Sequence, residues 1–274
     1  MRPWPLSGVP GGGQGSKSVD HATNMEATDP ASGGIIRCPM KAPRDPGFTL
    51  VELMVVVAVL ATLGAIAIPL MGSAARASHE RGAAASLKAL AAAETDFKSN
   101  DRDGTQVKDY WTGDVAGLHT LASTGTSGAR PPIKLIDVTL AAADTAPLPS
   151  GVAGGRTQAI TAFVKQGPRA GYWYYAMAKD PSATPNAAYR QNTGGTPAMG
   201  AVHNLDRFAF LAYPDRYPAG GRTVFILNEA GVAWKRDPNA PIKSTGAIPP
   251  TAPASDWRDW PAEATLRTSW GRGN

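Results

Sequence analysis

Three places in this chain hold residues whose type and spacing could do chemistry. The first is Glu52, a carboxylate at the head of an apolar run in which the next charge is Arg76, after 23 uncharged residues. Inserting an acid into an apolar membrane helix costs about 2.5–3.5 kcal/mol, so such a residue points to a function by default. The second is the Gly47–Phe48 bond, just before that run. A residue without a side chain lets another chain's backbone approach this bond closely. The third is the stretch Asn100–Asp109, where Asp101, Asp103 and Asp109 flank Gly104. Hard cations such as calcium take several oxygens at about 2.3–2.6 Å, which makes calcium the candidate cofactor here. The bidentate Glu that closes an EF-hand loop is absent, and Tyr110 stands in its place. The same Asp and Gly residues also read as plain helix terminators.

Other constellations are weaker. The histidines His21, His79, His119 and His203 show no metal-ligand spacing and are expected at the surface. No Gly-x-Ser-x-Gly elbow surrounds a serine. Gly151-Val152-Ala153-Gly154-Gly155 lacks the Lys-Ser/Thr end of a phosphate-binding loop. No catalytic activity and no other cofactor are expected. The net charge of +5 and pI near 9.4 could indicate nucleic acid, but the basic residues are scattered rather than striped, so none is expected as a partner. The one cysteine, Cys38, precedes the Gly47–Phe48 bond and cannot form an internal disulfide.

Certain elements must position these residues. From Phe48 to Ala75 the chain is Val, Leu, Ala and Ile rich, and at about 1.5 Å per residue its uncharged part spans roughly 35 Å, enough for a bilayer core. Pro69 should kink or loosen the helix, since it lacks a backbone N–H. From Ser73 to Lys98 the pattern stays helical, with Leu87, Leu90, Ala91 and Phe97 on one face. The two parts join into one helix of about 50 residues, roughly 75 Å long. Four domains of organisation follow: 1–47, Gly/Ser/Pro-rich at its start; 48–75, the apolar helix; 76–98, its amphipathic continuation; and 99–274, a β-rich globular part with an irregular tail from Asp237. Met40 is expected to be the true start, leaving a short leader with Lys41 and Arg44.

In the β-rich part, Ile133–Val138 reads as a strand or short buried segment. Tyr172–Met177 reads as a strand with alternate rings in the core. Phe208–Tyr213 is a further strand, and Thr223–Leu227 and Val232–Lys235 flank the hairpin signal Asn228-Glu229-Ala230-Gly231. The fold class is α+β, with the long helix packed on an antiparallel sheet.

The run Gly47-Phe48-Thr49-Leu50-Val51-Glu52, behind a basic leader and ahead of an apolar helix, closely resembles the processing segment of type IV prepilins and type II secretion pseudopilins. The resemblance covers residues 40–75. It implies a pilin-like fold and a cut by an inner-membrane prepilin peptidase between Gly47 and Phe48, with Phe48 becoming N-methylated. It also implies assembly through Phe48 and Glu52 with sister subunits, on a membrane platform driven by an ATPase. The leader departs from the family by ending Asp45-Pro46-Gly47, with no base beside the glycine. With no cysteine after Cys38, the resemblance favours a pseudopilin over an adhesive pilin whose C-terminal loop is stapled by a disulfide.

Charge sets the expected orientation: Arg37, Lys41 and Arg44 keep the leader cytoplasmic, and the bulk is translocated from the inner membrane to the periplasm. The alternative class is a single-pass anchored protein with a periplasmic ligand-binding domain, its leader uncut. A third is an ordinary signal peptide cut near Ala75, which requires a shorter apolar core than this one.

Overall fold

The computed structural model describes residues 47–122, 131–181, 187–192, 200–242 and 253–273. The leader and its Met40 start lie outside the described residues.

One helix, α1, runs from Leu50 to Ser99 and is continuous through Pro69. Its apolar first half is exposed along its length, with Leu53 at 60%, Leu60 at 62% and Met71 at 72% of full exposure. Among the described residues it is the one helix long and apolar enough to cross a membrane, with a mean hydropathy of 2.6 over its most apolar window. Its second half is amphipathic. Ala83, Leu87, Leu90 and Phe97 recur at three- and four-residue steps, which places them on one buried stripe.

The strands are β1 Tyr110–Trp111, β2 Tyr172–Ala176, β3 Lys179–Asp180, β4 Ala187–Ala188, β5 His203–Asn204, β6 Ala209–Pro214, β7 Val224–Asn228, β8 Trp234–Arg236 and β9 Gly271–Arg272. A five-stranded antiparallel sheet has the order β2-β6-β7-β8-β9, and the pairs β1-β5 and β3-β4 stand apart from it. Its register places Tyr174 opposite Ala212, Phe210 opposite Leu227 and Ile226 opposite Trp234.

The alternation of side chains along each strand creates two cores. Tyr172, Tyr174, Phe210, Ala212, Phe225 and Leu227 face the buried stripe of α1. Trp173, Tyr175, Leu211, Tyr213, Val224 and Ile226 face the other way, onto Trp260, Leu266 and Trp270 of the C-terminal segment. The sheet is thus a middle layer. The α+β class with the long helix against an antiparallel sheet is what the sequence led us to expect.

Two details differ from expectation, and a third is narrowed. Of the two readings of Ile133–Val138, the short packed segment holds and the strand does not: Lys134 has φ +49°, which breaks the extended run, and a short helix begins at Val138. The segment docks by Ile133 and Leu135 N–H groups donating to the Leu121 and Leu118 carbonyls, each at 2.8 Å, and Ile136 is buried. The Tyr172–Ala176 strand buries both faces, not alternate rings alone, because each side of the sheet has a covering layer. The tail is not wholly irregular. It forms a helix at Glu263–Ser269 and the edge strand β9, driven by the burial of Trp260, Leu266 and Trp270.

Candidate functional site: the assembly helix and the acidic loop

The N-terminal segment is built for something outside the subunit. A Cβ added at Gly47 would meet no atom within 4 Å, so the fold does not require glycine there. Phe48 is 80% exposed. Glu52 lies in the first turn of α1, where an acid is favoured by the helix dipole. Within the apolar half, Thr62 donates its hydroxyl to the Val59 carbonyl at 2.8 Å, so the helix itself satisfies that polar group. An exposed apolar surface this long is not sustained in water; it requires lipid or the helices of other subunits.

The second half of α1 is fastened to the head. His79 Nδ1 donates to the Gly220 carbonyl at 2.9 Å. Glu80 Oε1 accepts from the Arg222 and Thr223 backbone N–H groups at 3.0 and 3.3 Å. Near its end, Lys98 Nζ donates to the Leu205 carbonyl and lies 4.4 Å from the centre of the Tyr110 ring.

The acidic loop follows directly. Asp101 adopts φ +45° and accepts from Thr105 N–H at 3.1 Å and Gln106 N–H at 2.9 Å, closing the turn after the helix. Asp103 is buried and meets the Arg156 guanidinium, Nη2 to Oδ2 at 3.2 Å, while Arg156 Nη1 donates to its carbonyl at 2.8 Å. Burial pushes the Asp103 carboxyl up, against the pull of Arg156 and His203. Asp109, also buried, accepts from His203 Nδ1 at 3.0 Å, and His203 Nε2 lies 3.7 Å from Asp103 Oδ2. The structure brings Asp103 and Asp109 together around His203, and Thr105 links Asp101 to Asp103, its hydroxyl lying 3.4 Å from Asp101 Oδ1 and 3.1 Å from Asp103 Oδ1. Among the described residues no group of three or more His, Cys, Asp or Glu side chains converges as a metal site.

The histidines correct the surface expectation. His203 is fully buried between the two aspartates, His119 is buried with Nδ1 donating to the Ile136 carbonyl at 2.8 Å, and His79 is half-buried. His203 reaches Asp109 across 94 residues of sequence, and local spacing carries no trace of that pairing. His21 lies outside the described residues.

A second buried acidic pair braces the head and was not legible in the sequence. Asp144 accepts from the Val115, Ala116 and Ala146 N–H groups at 2.7–2.8 Å. Asp114 accepts from Trp111 Nε1, Gly117 N–H and Leu148 N–H at 3.0, 2.8 and 2.6 Å. Burial first, and then the neighbouring Asp114, push the Asp144 carboxyl up to about 7. A Cβ at Gly117 would fall 2.2 Å from Trp111 Nε1, so this approach requires glycine.

An exposed apolar helix joined to a sheet-backed head is the architecture expected of a type IV pilin-like protein. Residues 43–68 match the family model described as the prokaryotic N-terminal methylation motif, so the chain carries a prepilin-type segment. That motif implies processing by a prepilin peptidase and assembly with pilin-like subunits. Residues 76–259, more than half of the chain, match the family described as protein of unknown function DUF2950, and the chain belongs to it. No curated protein and no solved structure matches the chain.

Proposed function

We propose that this chain is a structural subunit of a type IV pilus-like or type II secretion pseudopilus fibre, with the pseudopilus as the better fit. Prepilin peptidase cuts between Gly47 and Phe48 and methylates Phe48. Before assembly the apolar half of α1 anchors the protein in the inner membrane, with the head on the periplasmic side. During assembly that half passes from lipid to the helices of sister subunits. The observation that carries this reading is the exposed apolar half of α1 directly behind the methylation motif.

Glu52 then has a specific task. Cleavage leaves a positive amine at Phe48, and Glu52 of an adjacent subunit neutralises it inside the apolar fibre core, which sets the axial register. The subunit acts by assembly and not by catalysis. Its buried acids hold backbone N–H groups, Arg156 and His203 instead of facing a substrate cleft. Expressing Glu52→Ala in the native cell tests this. The membrane level should be unchanged while the sheared-fibre fraction is lost; a normal fibre yield would contradict the pairing.

A further inference from the structure

The face of the sheet opposite α1 carries a cavity of about 390 Å³. That lies within the usual range of small-ligand sites, about 300–1,000 Å³. Its floor and wall come from the C-terminal segment packed on the sheet: Trp257, Trp260, Trp270, Asp256 and Asp259, with Arg236 from β8. Three of the chain's seven tryptophans therefore stand within fourteen residues around one concavity. The middle layer of sheet separates it from α1, so an occupant would not compete with whatever covers the apolar helix.

The lining is fixed in place before any ligand arrives. Trp257 and Trp270 meet edge to face, with ring centres 5.8 Å apart. Arg236 lies 5.5 Å from the centre of the Trp257 ring. Trp260 and Trp270 are buried, while Trp257 stays half-exposed. Asp256 accepts from Ser255 Oγ at 3.1 Å and remains exposed, with acceptor capacity left over. Asp259 is ion-paired with Lys179 at 3.5 Å.

This composition selects a ligand class. The two carboxylates are offset by Arg236 and Lys179, so neither an organic cation nor an anion gains net attraction. Indole rings present a negative face that meets the weakly positive C–H bonds of a pyranose. Carboxylate and guanidinium groups at the rim can accept from and donate to its hydroxyls, and polar groups of this kind supply specificity in an otherwise apolar site. We propose that this cavity binds a neutral saccharide, with Trp257 as platform and Asp256 as a hydroxyl acceptor. The inference stands on the head alone and does not rest on the fibre reading.

The test uses the full chain in a polyoxyethylene detergent, which carries neither sugar nor charge. Maltotriose, cellotriose, N-acetylated chitotriose and mannotriose are titrated by calorimetry and tryptophan fluorescence, with choline and acetate as charged probes. At least one trisaccharide should bind saturably and shift the tryptophan emission, while choline and acetate do not bind. Trp257→Ala and the milder Asp256→Asn should each weaken that binding about tenfold or more, with Asp256→Asn leaving the melting temperature unchanged. The proposal is overturned if no trisaccharide binds, if choline or acetate binds instead, or if both variants bind like the wild type.

Discussion

Glu94, in the middle of the buried stripe of α1, accepts a hydrogen bond from the backbone N–H of Trp111 at 2.9 Å, and both residues are fully buried. Its other oxygen, Oε1, has no hydrogen-bond partner. Burial raises its pKa well above the ordinary carboxyl value, and the Asp109 charge adds to that. Burial therefore disfavours the charged form of this carboxyl, which lies in the buried second half of the helix. It ties α1 to β1, just past the end of the acidic loop.

Glu94→Gln keeps an acceptor for the Trp111 N–H and carries no charge. It should leave stability near that of the wild type at neutral pH. Glu94→Ala strands a buried N–H and should cost about 1–3 kcal/mol. Chemical denaturation of the purified chain distinguishes the two. A Gln variant as unstable as the Ala variant would contradict the acceptor role of this side chain.

Stability should fall as pH rises through neutrality. Asp144 has its folded pKa pushed up to about 7, and the folded values of Asp103, Asp114 and Glu94 are also raised. A group raised above its unfolded value holds more protons in the folded state between the two values. Unfolding then releases protons, and stability is lost from about pH 4 upward to the folded pKa. The melting temperature should be higher at pH 5 than at pH 8, and Glu94→Gln should shrink the difference. A melting temperature that rises between those values would contradict the assignment.

Asp144→Asn is expected to be destabilising at every pH. The native carboxyl accepts three N–H groups, and an amide would turn its NH₂ toward at least one of them. The cost should be about 1–3 kcal/mol, read from the denaturation midpoint.

The acidic loop makes a prediction about calcium. A calcium ion would have to displace the Arg156 guanidinium from Asp103, a buried pair. Adding millimolar calcium or a chelator should leave the melting temperature unchanged, whereas Asp103→Ala, which removes the carboxylate from this buried pair, should lower it. A calcium-dependent rise that disappears in Asp103→Ala would instead make Asp101, Asp103 and Asp109 a metal loop.

What could be read from the sequence followed local physics. The Leu87-Leu90-Phe97 spacing marked the buried face of α1, the apolar run Phe208–Tyr213 read as a strand, and Asn228–Gly231 marked the hairpin turn, in which Gly231 takes φ +71°. The hidden part depended on distant partners. His203 looked like a surface residue because Asp103 and Asp109 lie far off in sequence. Trp260, Leu266 and Trp270 looked like loop because the sheet face that buries them is formed by β2, β6 and β7. Glu94 falls on the same three- and four-residue spacing as Leu87, Leu90 and Phe97, but its bond to the Trp111 N–H depends on a residue 17 positions away.

The central claim is that the exposed apolar half of α1 is released at Gly47–Phe48 for assembly. N-terminal peptide mass spectrometry of the protein purified from its own cells tests it most directly. The account predicts a chain that begins at N-methylated Phe48. Recovery of peptides that span an intact Gly47–Phe48 bond would contradict it and leave a permanently anchored head.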